Sequence, residues 1–103
     1  MKHKKVTAII PQLELEKVEH ALMVIGIPGM TVSKTHGMGD YKNYYANDSM
    51  QDCSRLEIFI EEEKAKLVAK TIARTVHQGM NSDGIIAILP LEEFIHIKDY
   101  SEE

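Results

Sequence analysis

Apolar and polar positions recur along this chain with two different periods, and the changes of period mark its elements. Lys5 to Pro11 is short, rich in β-branched residues and stopped by proline, the pattern of a strand. From Leu13 to Ile25 the apolar residues are Leu13, Leu15, Val18, Ala21, Leu22 and Ile25. From Val18 onward they follow steps of three and four, which gathers them on one helix face. Gly26 supplies the left-handed residue that ends such a helix. After the Pro28-Gly29 turn, Met30 to Thr35 reads as a second strand, and Arg55 to Ile60 alternates as a half-buried third. Glu61 to Lys64 is a charged corner. Ala65, Val68, Ala69, Ile72, Ala73 and Val76 then form the stripe of a second helix, closed by Gly79. Asn81-Ser82-Asp83-Gly84 is a turn signal. Ile85 to Leu89 is a nearly unbroken apolar run, the pattern of a central strand buried on both faces. Phe94 to Lys98 alternates again and reads as a short last strand before an acidic tail.

Between the second and third strands, Gly37 to Ser54 has no usable periodicity. Loops of that length are uncommon in a compact domain and are usually functional or disordered. Glycines at its root, in Gly37-Met38-Gly39, let the backbone approach a ligand or adopt positive φ, although glycine pairs also serve plain turns. The element order is β-α-β-β-α-β. Both helix stripes require an apolar sheet face, which predicts an α+β, ferredoxin-like antiparallel sheet with both helices on one face and a short extra C-terminal strand. The opposite sheet face keeps apolar residues of its own, so a closed homo-oligomer is expected.

The 103 residues suffice for one domain, residues 1–103. A net charge of −4, with Lys+Arg 12 against Asp+Glu 16, argues against a general nucleic-acid binder. The basic cluster Lys2-His3-Lys4-Lys5 reads as a solvated end. Cys53 is the only cysteine, which excludes an intrachain disulfide and points to a reducing compartment. No run is long and apolar enough to cross a bilayer and no leader pattern opens the chain, so the expectation is a cytoplasmic protein without membrane insertion.

Candidate chemistry is sparse. No G-x-S-x-G, H-E-x-x-H or P-loop occurs, so no enzyme activity is expected. His36, Asp40, Asp48, Asp52, Cys53, Met38 and Met50 form a loose set of possible metal ligands. They lack recognised ligand spacing; His36 and Cys53 are the pair on which a metal site would rest. Tyr44 and Tyr45 on the long loop are candidates for modification or for anchoring a protein partner.

Taken together, the element order, Ala8-Ile9-Ile10, Gly29-Met30-Thr31-Val32, Gly37-Met38-Gly39 before a long loop, and Ser82-Asp83-Gly84 before the fourth strand resemble the nitrogen regulatory PII signal-transduction family, in a divergent form. The likeness runs from Val6 to Lys98. It implies a homotrimer whose intersubunit clefts bind adenine nucleotides. It also implies a T-loop, about residues 37–54, that docks on a target enzyme or transporter, and a B-loop, about 79–84, that cradles phosphates. Several members bind 2-oxoglutarate through magnesium held by ATP. Carried over by position, Thr31, Gly37, Met38, Gly39, Glu57 and Phe59 fall on one wall of the cleft and Ser82, Asp83 and Gly84 on the B-loop. His96 and Lys98 fall where a neighbouring subunit offers two arginines, and Tyr41, Tyr44 and Tyr45 fall on the T-loop.

The departures carry information too. Ile85 replaces the B-loop lysine, Ser82 a glycine, and Tyr41 the T-loop glutamine that helps hold magnesium and 2-oxoglutarate. The loop itself is several residues shorter. His96 is neutral for much of the time near neutral pH, and Lys98 lacks the arginine fork. A triphosphate needs cations and N–H donors to offset lost hydration. The resemblance therefore implies ADP or AMP over ATP as regulatory ligand, with no resident cofactor. A metal-responsive trimer of the same general fold, as in the divalent-cation-tolerance proteins, is the alternative expectation.

Overall fold

A computed structural model describes residues 2–37 and 51–102. Four strands and two helices follow in the order β1 (His3–Pro11), α1 (Leu15–Val24), β2 (Thr31–Gly37), β3 (Gln51–Glu61), α2 (Glu62–Val76) and β4 (Ile85–Pro90). The sheet order is β2-β3-β1-β4, with every neighbouring pair antiparallel. This is the ferredoxin-like α+β arrangement.

The helices and one sheet face make the core. Val6, Ala8 and Ile10 of β1 and Leu56, Ile58 and Ile60 of β3 alternate into it. They meet Val18 and Leu22 of α1, and Ala65, Val68, Ile72 and Val76 of α2. The spacing of that α2 stripe is the one the sequence predicts. Helix α1 ends in a Schellman motif. Gly26, at φ +81°, donates its N–H to the Met23 carbonyl, and the Ile27 N–H reaches the Leu22 carbonyl. Leu13, expected on the α1 stripe, instead lies in a 3-10 turn (Gln12–Glu14) and is 93% exposed, because Pro11 delays the helix start.

Three expectations are corrected. Ile85 to Leu89 is not a central strand but the β4 edge, hydrogen-bonded among the described residues to β1 alone, and Ile85, Ile88 and Leu89 are exposed. The β2–β3 ladder continues to Gly37 opposite Gln51, so residues 51–54 belong to β3 rather than to the loop. The predicted C-terminal strand is absent. Among the described residues, 94–98 find no partner strand; Ile97–Asp99 is a 3-10 turn, and Phe94 stacks on His3 at 4.2 Å with the rings 9° from parallel. Alternation alone does not make a strand when no sheet edge takes up its N–H and C=O groups.

One backbone approach fixes how β4 joins the sheet. Gly84 sits at φ +111°, and a Cβ built there would lie 1.9 Å from the Ile9 carbonyl oxygen. No side chain fits. Gly84→Ala should destabilise the protein by roughly 2–4 kcal/mol, through strain at positive φ and the backbone clash. Urea unfolding of the variant beside wild type measures this, and a loss below about 1 kcal/mol would show that the β4 junction yields.

Candidate functional site

The end of the sheet where β1 and β2 finish and β3 and β4 begin carries most of the expected site. Gly84 lies against Ile9, and Ile85 pairs with Ile9. On the neighbouring side Pro11 pairs with Cys53, Cys53 with Thr35, and Gln51 with Gly37. Thr31 and Glu57 are direct cross-strand partners, on the sheet face turned away from the helices. Phe59 stands on the same face and is half exposed. The structure therefore brings Thr31, Glu57 and Phe59 together as one wall, with Gly37 and Gly84 toward one end of it. Met38, Gly39, Tyr41, Tyr44 and Tyr45, and with them Asp40, Asp48 and Met50, lie outside the described residues.

His96 and Lys98 are elsewhere. His96 shares a surface hollow with His3, Phe94 and Asp99 at the opposite end of β1. His3 and Ile9 are separated along β1 by about 20 Å of strand. One chain thus holds Ser82–Gly84 at one end of the sheet and His96 and Lys98 at the other.

The turn after α2 is built around Asp83. Its Oδ2 accepts backbone N–H bonds from Gln78 at 2.7 Å, Gly79 at 2.9 Å and Met80 at 3.3 Å. The Asp83 N–H in return donates to the Met80 carbonyl at 3.0 Å. His77 Nδ1 stands 3.8 Å from the same oxygen. Burial pushes the Asp83 carboxyl up, but the three N–H bonds and nearby His77 outweigh it and hold the pKa below the ordinary aspartate value. The Asp83 side chain is turned into its own loop. No capping signal marked this turn in the sequence, because Met80, three places before Asp83, lacks the hydroxyl of a capping box. Nor did any signal mark the roles of His77 and of the Gln78–Met80 N–H groups.

Two cavities flank this turn. One, about 550 Å³, is lined by Leu13, Glu14, Asp52, Met80, Ser82 and Asp83 among others. The second, about 380 Å³, lies between α2 and β4 against Ile72, Val76, Met80 and Ile86, and also reaches His77, Asp83 and Gly84. Among the described residues, neither is lined by lysine or arginine. On the other face, Glu57 is paired with Lys5 at 2.6 Å. The hydrogen bond from Lys5 lowers its pKa, against a small opposing effect of burial, with the charges of Lys5 and Arg55 adding to the lowering.

Of the metal candidates, His36, Asp52 and Cys53 are among the described residues. His36 pairs with Asp52, whereas Cys53 pairs with Thr35. Cys53 is 3% exposed, and burial followed by the Asp52 charge raises its thiol pKa, which disfavours the thiolate that metals bind. Among the described residues no group of three or more His, Cys, Asp or Glu side chains is placed to hold an ion.

A split βαβ sheet with a long β2–β3 connection and a glycine-locked turn before β4 places the chain among small ferredoxin-like α+β proteins. The family model described as Nitrogen regulatory protein P-II matches residues 3–101. The Nitrogen regulatory protein P-II of Azospirillum brasilense is 30% identical over 92% of this chain and 91% of its own. The protein of that name from Microchaete diplosiphon is 34% identical with the same coverage. Nitrogen regulatory protein P-II 1 of Escherichia coli (strain K12) is 32% identical over 97% and 96%. The crystal structure of Arabidopsis thaliana PII bound to citrate superposes with a TM-score of 0.78 at 30% identity, covering 95% of this chain and 82% of that one. The chain belongs to the nitrogen regulatory P-II family. No helix among the described residues is long and apolar enough to cross a membrane.

The Asp83 geometry has a pH signature. A carboxylate whose folded pKa lies below its unfolded value contributes stability above the unfolded value, and that contribution is lost as pH falls through the folded one. Asp83→Asn should therefore cost about 1–2 kcal/mol at neutral pH, where a charged acceptor serves three donors. The gap between variant and wild type should shrink below about pH 4. Urea midpoints across that range check it; a gap that does not change with pH would mean the charge of Asp83 is irrelevant to the fold.

Proposed function

We propose that this protein is a nitrogen-regulatory sensor without enzyme activity. It assembles as a homotrimer, reads ADP or AMP in the clefts between subunits, and uses the β2–β3 loop to bind and control a protein target, an enzyme or a membrane transporter. The observation that carries this reading is the separation of the expected ligand groups. Ser82–Gly84 and His96 with Lys98 stand at opposite ends of one sheet, so a second copy is needed to complete the set. The sheet face away from the helices supplies the means. Phe59, Ile85 and Leu89 are all exposed on it, Phe59 on β3 and the other two on β4, with β1 between the two strands, and burying such apolar positions between copies is favourable. Citrate in the Arabidopsis relative supports small-molecule binding on this fold.

In this reading the ligand is sensed, not consumed. It biases the loop only by its different affinity for different loop conformations. The missing cations favour ADP or AMP over ATP, and Tyr41 in place of glutamine disfavours magnesium-dependent 2-oxoglutarate binding. Localisation in the cytoplasm follows from the same reading.

Calorimetric titration with AMP, ADP and ATP, with and without magnesium, after the mass in solution has been measured, tests it. The expected result is a trimer that binds AMP or ADP, binds ATP more weakly and leaves it unhydrolysed. Leu89→Glu, which places a charge on the exposed face, should dissociate the assembly to monomers by light scattering and abolish nucleotide binding. A monomeric wild type, or one indifferent to all three nucleotides, would overturn the proposal.

A further inference from the structure

A ring holds the segment after β4 to the sheet. Beyond Pro90 the chain leaves the ladder, and among the described residues no strand pairs with residues 91–102. The backbone bonds there are local. The Asp99 N–H donates to the His96 carbonyl at 2.9 Å, and the Tyr100 N–H to the Ile97 carbonyl at 3.0 Å. His96 Nδ1 stands 3.8 Å from Asp99 Oδ2, within the same turn. Phe94 is different. Its ring lies flat on His3 of β1 at 4.2 Å and tilts against Phe59 of β3 at 6.0 Å. It is 39% exposed, where Ile95 is 58% and Ile97 is 85% exposed. Stacked and tilted ring pairs of this kind attract beyond the area they bury.

The platform under Phe94 is itself fixed. Lys5 Nζ stands 5.9 Å from the centre of the Phe59 ring and bonds Glu57 at 2.6 Å. Lys5 is the cross-strand partner of Phe59, and His3 that of Glu61. Both strands are central in the sheet, so Phe94 rests on the least yielding part of the open face. Lys98 lies four residues further along, about 13 Å at full extension, and His96 is nearer. Fixing one ring therefore confines both side chains to a small volume before that face.

We infer that Phe94 is a positioning residue: seated on His3 and Phe59, it holds residues 95–98 so that His96 and Lys98 are presented to the cleft of the neighbouring copy. This deepens the reading above and rests on it. Without the anchor, the entropy cost of ordering the segment falls on each binding event. His96 and Lys98 assist only ligands that carry phosphate, so a lost anchor has a narrower signature than a damaged fold. His3, in the basic N-terminal cluster, is then part of the scaffold of the site rather than a solvated end.

The test is titration of the full-length chain with adenosine and AMP, free of magnesium, in wild type, Phe94→Ala, Phe94→Tyr, Lys98→Ala and the variant carrying both alanines. Wild type should bind AMP about tenfold more tightly than adenosine, because the phosphate gains charge-assisted contacts. Phe94→Ala should cut that preference about fivefold, and Phe94→Tyr should keep it. Lys98→Ala alone should match the Phe94→Ala loss, and the double variant should lose no more. A structural defect would instead weaken both ligands alike and add to the loss from Lys98. Equal binding of the two ligands by wild type, a preference untouched by Phe94→Ala or not kept by Phe94→Tyr, or additive losses would overturn the inference. Amide order parameters of residues 95–98 give a second readout: about 0.8 in wild type and Phe94→Tyr, and below about 0.6 in Phe94→Ala. Should wild type bind neither ligand, the sensor reading fails, and these order parameters alone decide the anchor; equal values in wild type and Phe94→Ala overturn it.

Discussion

Between residue 84 and the carbonyl of Ile9 there is room for a hydrogen and nothing larger. That contact sets where β4 begins. With Ile85 placed opposite Ile9, the rest of the β1–β4 ladder follows in register to Pro90 opposite Lys4. The approach also brings the preceding turn against the end of β1, beside the start of β3. Asp83 then holds the turn in shape from within, through three backbone donors. The candidate site thus depends on two short-range constraints in neighbouring residues. One is steric and requires glycine; the other is electrostatic and is served by a carboxylate.

Much of this architecture was legible from periodicity. The α2 stripe from Ala65 to Val76 and the alternation of β3 gave the helix face and the strand face directly, because one face of each is buried in the chain's own core. The misreadings have a common cause. Ile85 to Leu89 looks like a central strand because it is apolar on both faces, yet it forms an edge. An apolar run records that side chains are suited to cover, not which chain supplies it. Residues 94–98 alternate like a strand but meet no strand among the described residues; the His96 and Ile97 carbonyls accept from Asp99 and Tyr100 in a turn, and Phe94 settles on His3. The element pattern and short glycine motifs were enough to point to the family. The inward turn of Asp83 was not, since a D-G pair before a strand serves equally well in a plain turn.

The two sheet faces divide the work. One is closed by α1 and α2 and supplies the stability of the single chain. The other carries Thr31, Glu57 and Phe59, the tight Lys5–Glu57 pair and the exposed apolar positions of β4. An ion pair and hydrophobic residues on an uncovered face are tolerated in water, but their arrangement suits a face that serves recognition. Relatives named P-II align with this chain over nine-tenths or more of their own length.

The β2–β3 ladder has a consequence for how such proteins diversify. Seven residue pairs, from Thr31–Glu57 to Gly37–Gln51, bring the two ends of segment 38–50 face to face. Once a stem closes a segment in this way, the thermodynamic cost of changing its length is chiefly that of loop closure, about 0.6 kcal/mol for each doubling. Insertions, deletions and wholesale exchanges between relatives can then occur above the stem while the register beneath it stays put. The length and sequence of that segment and the integrity of the body become separately inheritable traits.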